Sequence, residues 1–166
     1  MTGVSITIEG LDVAKSKLSS LARLEFHELM DGLARMGQQQ TQRRIEEEKT
    51  SPEGAAWKPN LAGTPILFKT GALARSVDHA ATATQATWGV PAAPVAGRPY
   101  ARIHQFGGVI TPKNGAALKF WWQSGGHVEF AIVKKVTMPA RPYLGVSAEN
   151  AADLEQAAAK FIERYW

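Results

Sequence analysis

The sequence predicts an α+β protein with a mostly antiparallel sheet packed against a long N-terminal helix and a C-terminal helix. Three observations carry this prediction. Apolar residues recur at helical spacing near both ends, strand-like segments cluster between Ser76 and Val136, and Gly- and Pro-rich turns punctuate that stretch. A chain of 166 residues, 45% hydrophobic and 20% charged, has the material for one core, so a single domain over 1–166 is expected.

Val4–Ile8 alternates apolar and polar residues and stops at Gly10, which predicts a short first strand rather than a signal peptide. Asp12 stands where a helix N-cap is expected. Ala22, Phe26, Leu29, Leu33 and Met36 then share one helical face, with Ser19-Ser20 a candidate break, and nothing stops the helix before Lys49. Its second half, Gln38–Lys49, has one large apolar residue, and Arg43/Glu47 and Arg44/Glu48 stand at i,i+4 spacing. Two readings apply: a solvated helix end, or a helix that projects past its own core and is completed by a neighbouring subunit.

Ser51–Lys69 is rich in turn formers and holds Trp57, which either pins the loop or docks a partner. The loop is expected to be mobile in the free protein and to become ordered on assembly. Thr70 is an acceptable N-cap for one helical turn that buries Leu73. Strands are expected at Ser76–Ala83 and Ala86–Val90, followed by a second mobile loop at 91–99. Tyr100–Phe106 has the length of two helical turns, and Gly107-Gly108 ends them. Val109–Thr111 returns to strand character and is expected to form a hairpin with Ala117–Trp122 through the turn at Pro112–Gly115. A further turn at Ser124–Gly126 leads into a long strand, His127–Val136. Pro139–Gly145 is neither helix nor central strand, because its two prolines fix the backbone. A last helix opens near Ser147 or Asn150, with Ala151, Leu154, Ala158, Phe161 and Tyr165 as its apolar stripe.

The sequence offers little for chemistry. Without cysteine it has no disulfide, thiol nucleophile or Cys-based metal site. His27, His79, His104 and His127 are scattered and show no metal-ligand spacing. There is no G-x-S-x-G elbow, P-loop or dinucleotide fingerprint. His104 is expected to hydrogen-bond a backbone carbonyl and fix its turn, since no nucleophile or orienting carboxylate stands near it in sequence. The net charge of +4 is mild. Lys113, Lys119, Lys134 and Lys135 lie among Phe120, Trp121 and Trp122, a pattern that permits single-strand stacking, but the basic footprint is thin. Adjacent Trp121 and Trp122 point to opposite faces of a strand, which places one of them in the core. No apolar run is long enough to span a bilayer.

Three segments occur in a telling order, Leu67–Ser76 (LFKTGALARS), Tyr100–Gly108 (YARIHQFGG) and Pro139–Gly145 (PARPYLG) before the terminal helix, and a long N-terminal helix and Pro52–Trp57 (P-x-G-x-x-W) precede them. This order resembles the virion morphogenesis proteins of tailed bacteriophages, also called tail completion proteins, and in outline the wider group of neck and head–tail joining proteins. The resemblance spans nearly the whole chain; the dense Pro/Gly content of 91–99 departs from it. It implies a non-catalytic structural protein that completes or joins the tail at the neck. Such a protein acts in a homo-oligomeric ring with other neck and tail proteins, in the virion and, during assembly, in the host cytoplasm. The resemblance brings no cofactor, metal or membrane, and leaves incidental contact with genomic DNA open. A tail terminator or head-closure ring is the alternative within this class, and a DNA-contacting module the alternative from another. By match of motif, Gly71, Tyr100, His104, Gly107, Gly108, Pro139, Arg141 and Pro142 are signature positions, read as fold determinants. Gln39, Arg43, Glu47, Trp57 and Arg141 are the candidate subunit-interface residues, Arg141 because a rigid backbone presents a guanidinium favoured at interfaces.

Overall fold

A computed structural model describes residues 11–21, 25–60, 63–91 and 100–165. The expected strand Val4–Ile8, Ala22 of the first apolar stripe, and the second loop beyond Pro91 lie outside the described residues. The architecture is α+β with antiparallel strand pairing throughout.

The single long N-terminal helix is two helices, α1 (Leu11–Leu21) and α2 (Phe26–Arg43), with Glu25 outside helical geometry at φ −77°, ψ 74°. Ser19-Ser20 is not the break. The Ser20 hydroxyl donates to the Ser16 carbonyl (3.1 Å), so the serine is satisfied without leaving the helix. Leu29 is buried as its stripe requires, Leu33 and Met36 are half-buried, and Phe26 is exposed.

α2 runs into one π turn, Arg44–Glu48, which ends at Lys49 in the left-handed region (φ 57°). The wider turn shifts one of the two expected ion pairs by one residue. Arg43 Nε meets Glu48 Oε1 at 2.7 Å rather than Glu47, whereas Arg44 pairs with Glu48 as expected, at 3.8 Å. The polar half of this helix does not project past the core. Gln38 donates to the Val77 carbonyl (2.6 Å), Gln40 to that of Asn150 (3.4 Å) and Gln42 to that of Ala74 (3.3 Å), while Thr41, Arg44 and Ile45 are buried. These glutamines are internal donors to carbonyls on neighbouring elements, which accounts for a polar helix without an external partner.

α3 (Ala72–Arg75) buries Leu73 as expected, but its N-cap is Gly71 in the left-handed region rather than Thr70. Strands β1 (Asp78–Ala81) and β2 (Ala86–Gly89) form an antiparallel ribbon that packs on α2. The contact is close at Gly37, where an added Cβ would lie 2.4 Å from the Trp88 ring. α4 spans Tyr100–Phe106.

The remaining strands correct the expected pairing. β3 (Gly108–Ile110) pairs with β6 (Val136–Met138), and β4 (Leu118–Ser124) pairs with β5 (His127–Val133), turning at Gly125-Gly126. Pro112–Gly115 is therefore not a hairpin turn. It belongs to an excursion, Thr111–Ala117, that faces only Lys134-Lys135 on the other side, so β3–β6 and β4–β5 are two parts of one long hairpin arm. The expected long strand 127–136 is correspondingly divided at those lysines. Neither adjacent tryptophan fills the core: Trp122 is half-buried beside Phe120 (ring centroids 5.7 Å apart), and Trp121 is 72% exposed.

α5 (Ala148–Glu163) is capped by Ser147, whose hydroxyl accepts from the Asn150 amide (3.1 Å), and it packs on α2 through its predicted stripe. The main core gathers Ile45, Trp57, Leu73, Ala74, Val77 and Tyr143, which include residues of three of the four sequence motifs, and Tyr100 and Ala101 of the fourth pack against it.

Candidate functional site

The motifs meet at Pro139–Gly145. Two prolines deny this segment a regular ladder, so its backbone polar groups need partners from elsewhere. They find them. The Arg141 amide donates to the His104 carbonyl (2.7 Å), and the Tyr143 and Leu144 amides both donate to Gln105 Oε1 (3.0 Å each). Among the carbonyls, Pro142 accepts from Trp57 Nε1 (3.0 Å), Leu144 from Gln105 Nε2 (3.1 Å), and Tyr143 and Gly145 from Arg44 Nη1 (3.1 and 2.9 Å).

Arg44 is the centre of this junction and is 1% exposed. Its Nη2 also donates to Asn150 Oδ1 (2.5 Å), which ties the π turn to the first turn of α5. Its Nε is buried without a hydrogen-bond partner, and burial holds its pKa below the usual guanidinium value, with Glu48 opposing. Arg141 is equally internal at 4% exposed: Nε and Nη2 donate to the carbonyls of Lys58 and Pro59 (2.9 and 3.2 Å), fastening the loop after Trp57. Burial alone lowers its pKa. Tyr143 donates its phenol to the Ala101 carbonyl (3.3 Å), and burial, with Tyr100 adding, pushes that phenol up to about 12, so it stays a donor.

α4 is stopped where the sequence predicts. Gly107 takes the left-handed conformation (φ 70°) and its amide returns to the Ile103 carbonyl (2.9 Å). His104 differs from expectation. Its backbone carbonyl, not its ring, makes the bond to Arg141, and Nδ1 is buried without a partner beside the edge of Tyr100. Burial first, and the Arg141 charge second, depress its pKa below the ordinary 6.5. The imidazole is thus neutral in the fold and protonates more readily in the unfolded chain, so stability falls as pH drops below about 6.5 toward the folded value. Thermal melts at pH 7.5 and 5.5 should show a smaller difference for His104→Gln than for the parent chain.

Of the candidate interface residues, the structure separates two from three. Trp57 (6% exposed) and Arg141 are buried internal anchors, which corrects their assignment to a surface. Gln39, Arg43 and Glu47 are exposed and lie together on one wall of an open groove of about 620 Å3, facing Asp153, Gln156 and Lys160 of α5. The signature positions Tyr100, His104, Pro139, Arg141 and Pro142 converge at the junction, and Gly107 and Gly108 lead from it into β3. Gly71 caps α3 nearby. Sequence reasoning missed Arg44, Gln105 and Gly37. The only available signals were a charged residue beside the lone Ile45, an amide just before a helix stop, and a glycine within a helix.

A second cleft, of about 360 Å3, adjoins the junction; His104, Tyr100, Lys69 and Arg141 help to line it, and among the described residues no carboxylate does. Among the described residues there is no cluster of three or more histidines or carboxylates able to hold a metal, and no helix is long and apolar enough to cross a membrane. What the arrangement does is lock four separate chain segments into one junction.

No curated protein and no solved structure matches the chain. A family model does, that of the phage virion morphogenesis family, and its match runs over residues 6–163 and so takes in every segment of the junction. With its motifs joined in space and nearly its whole length matched, the chain belongs to the phage virion morphogenesis family.

Proposed function

We propose that this chain completes the tail or joins it to the head at the neck, as one subunit of a homo-oligomeric ring contacting other neck and tail proteins. The observation that carries the reading is the family match over 6–163, which supports a structural or assembly role in the virion. A rigid junction that absorbs Arg44, Trp57 and Arg141 internally agrees with a scaffold whose outer surfaces do the binding. We read the chain as non-catalytic, located in the virion and, before that, in the host cytoplasm where particles assemble.

The test is complementation. Infection with a phage lacking this chain should yield filled heads and free tails, and purified chain added to that lysate should restore infectious particles. Normal titre without the chain overturns the proposal. Abnormally long tails in the same lysate would instead support the tail-terminator alternative, and leaking filled heads the head-closure one. A DNA-contacting module predicts binding to DNA that weakens steeply with salt; absence of such binding removes it.

The mobility expected of 51–69 enters this proposal in a narrower form. Ser51 is buried, its amide bonded to the Ala55 carbonyl (2.8 Å), and Lys58 and Pro59 are held by Arg141, whereas Gly63–Pro65 and Lys69–Thr70 are exposed. Proteinase K is expected to cut the isolated chain within 63–70 before 51–60, and to spare 63–70 in assembled particles. Equal cleavage in both states counts against ordering on assembly.

A further inference from the structure

The tip half of the hairpin arm has two faces of different fate. Leu118, Phe120 and Trp122 turn inward and, with Ile110, Val136 and Met138, line an apolar groove at the base of the arm. The opposite face carries Trp121 beside Phe130, Ile132 beside Lys119, and Val128 beside Gln123. Trp121 is 72% exposed, Val128 67%, and Phe130 and Ile132 57% each. Contiguous exposed apolar side chains of this kind mark binding surfaces.

Charge indicates what covers it. Between Thr111 and Lys135 the arm carries Lys113, Lys119, Lys134 and Lys135 against one carboxylate, Glu129, and all four lysines are exposed. α5 is the reverse, with Glu149, Asp153, Glu155 and Glu163 exposed against one lysine, Lys160. Its outward face interleaves Ala152, Ala159 and Ile162 with Gln156, Glu155 and Glu163, all exposed. A helix face of small side chains interleaved with glutamates complements an apolar two-stranded ribbon that carries exposed lysines. This helix face also adjoins the groove that holds Gln39, Arg43 and Glu47.

We infer that the outer face of β4–β5 seats on the outward face of α5 of a neighbouring copy of this chain. The occupant is a second copy because the two complementary surfaces are on one molecule, and α5 packs against α2 within its own chain while the arm's outer face stays exposed. The contact is heterologous, each copy giving its arm to one neighbour and its helix to another, which builds a ring when the rotation closes. An interface of standard size takes about 800 Å2 from each partner, so the aromatic patch forms the centre and the lysines meet the glutamates of the helix around it.

The inference rests on the reading of the chain as ring-forming, and the experiment separates the two. Self-association of the full chain is measured by sedimentation, for the parent and for three variants. Trp121→Ser, a change at an exposed position, is expected to weaken association by about tenfold or more. Lys119→Glu and the pair Glu155→Lys/Glu163→Lys should each weaken it several-fold, and Lys119→Glu combined with that pair in one chain should regain most of the loss. If the parent associates and Trp121→Ser and Lys119→Glu do not change it, the arm is not the contact, and the ring reading stands without it. If the variants associate normally but fail to bind purified tails, the patch belongs to another tail protein and the inference is overturned. A parent that stays monomeric both alone and on tails overturns the ring itself.

Discussion

Arg44→Ala should destabilise the fold by roughly 3–5 kcal/mol, because it strips the donor from three acceptors, at about 1–3 kcal/mol for each one left buried and unpaired. In a chain of this size that corresponds to a melting temperature lower by about 10 °C. Truncation removes the donor shared by the Tyr143 and Gly145 carbonyls and the partner of Asn150 Oδ1; the bonds to Tyr143 and Asn150 are buried, where water cannot replace the donor. Arg44→Lys separates charge from geometry. A single ammonium keeps the charge, but not the planar fork that reaches Tyr143 and Gly145 from one nitrogen and Asn150 from another, so it should recover only part of the loss. Urea unfolding of the three proteins measures this. An alanine variant melting within about 2 °C of the parent would show that the junction holds without its central donor.

Gly107→Ala has the second large expected effect, through two additive causes. The residue sits at φ 70°, a region that costs an L side chain about 1–2 kcal/mol. Its new Cβ would also lie 2.8 Å from the Ala140 nitrogen and 2.9 Å from the Met138 oxygen, backbone atoms that cannot swing aside. Forced overpacking of that kind typically costs about 1–3 kcal/mol more. Gly125→Ala is the control: it too has positive φ (57°) but nothing within 4 Å, so it should carry only the conformational part. Hydrogen exchange should show protection lost across β3–β6 in the Gly107 variant and retained there in the Gly125 variant. Equal effects of the two substitutions would mean that the close approach to β6 contributes nothing.

How much was legible follows from how local each signal is. The helix Tyr100–Phe106 and its glycine stop were readable because length, periodicity and the left-handed residue lie within nine positions of one another. The Ser147 cap and the stripe of α5 were readable for the same reason. The arm was not. Pro112–Gly115 has good turn chemistry, yet β3 pairs with β6, and beyond that pairing the Arg141 amide bonds to the His104 carbonyl of α4. A turn signal states that the chain can reverse, not which strand it returns to. Trp121 and Trp122 were misplaced because both faces of β4–β5 are apolar, and alternation marks a core face only when the other face is polar.

The candidate site divides along the same line. Sequence marked the rigid segment Pro139–Gly145 and the glycine after α4, but the polar run Gln38–Glu48 suggested an exposed or partner-covered helix. In the fold its glutamines and Arg44 serve carbonyls on other elements, and its exposed side holds Gln39, Arg43 and Glu47.

By itself, then, the sequence determined the α+β class, the stripe of the C-terminal helix, the glycine stop after Phe106 and the proline-fixed bend, which depend on backbone preferences and periodicities within a few residues. It also determined the family, through motifs in order along the chain. Tertiary structure alone decided that Arg44 and Tyr143, 99 positions apart, meet, that Trp57 and Arg141 turn inward, and that Trp121 and Phe130 are left outside. Prolines state that a segment cannot satisfy its own backbone; which distant side chain satisfies it depends on how the packed elements bring donors and carbonyls together.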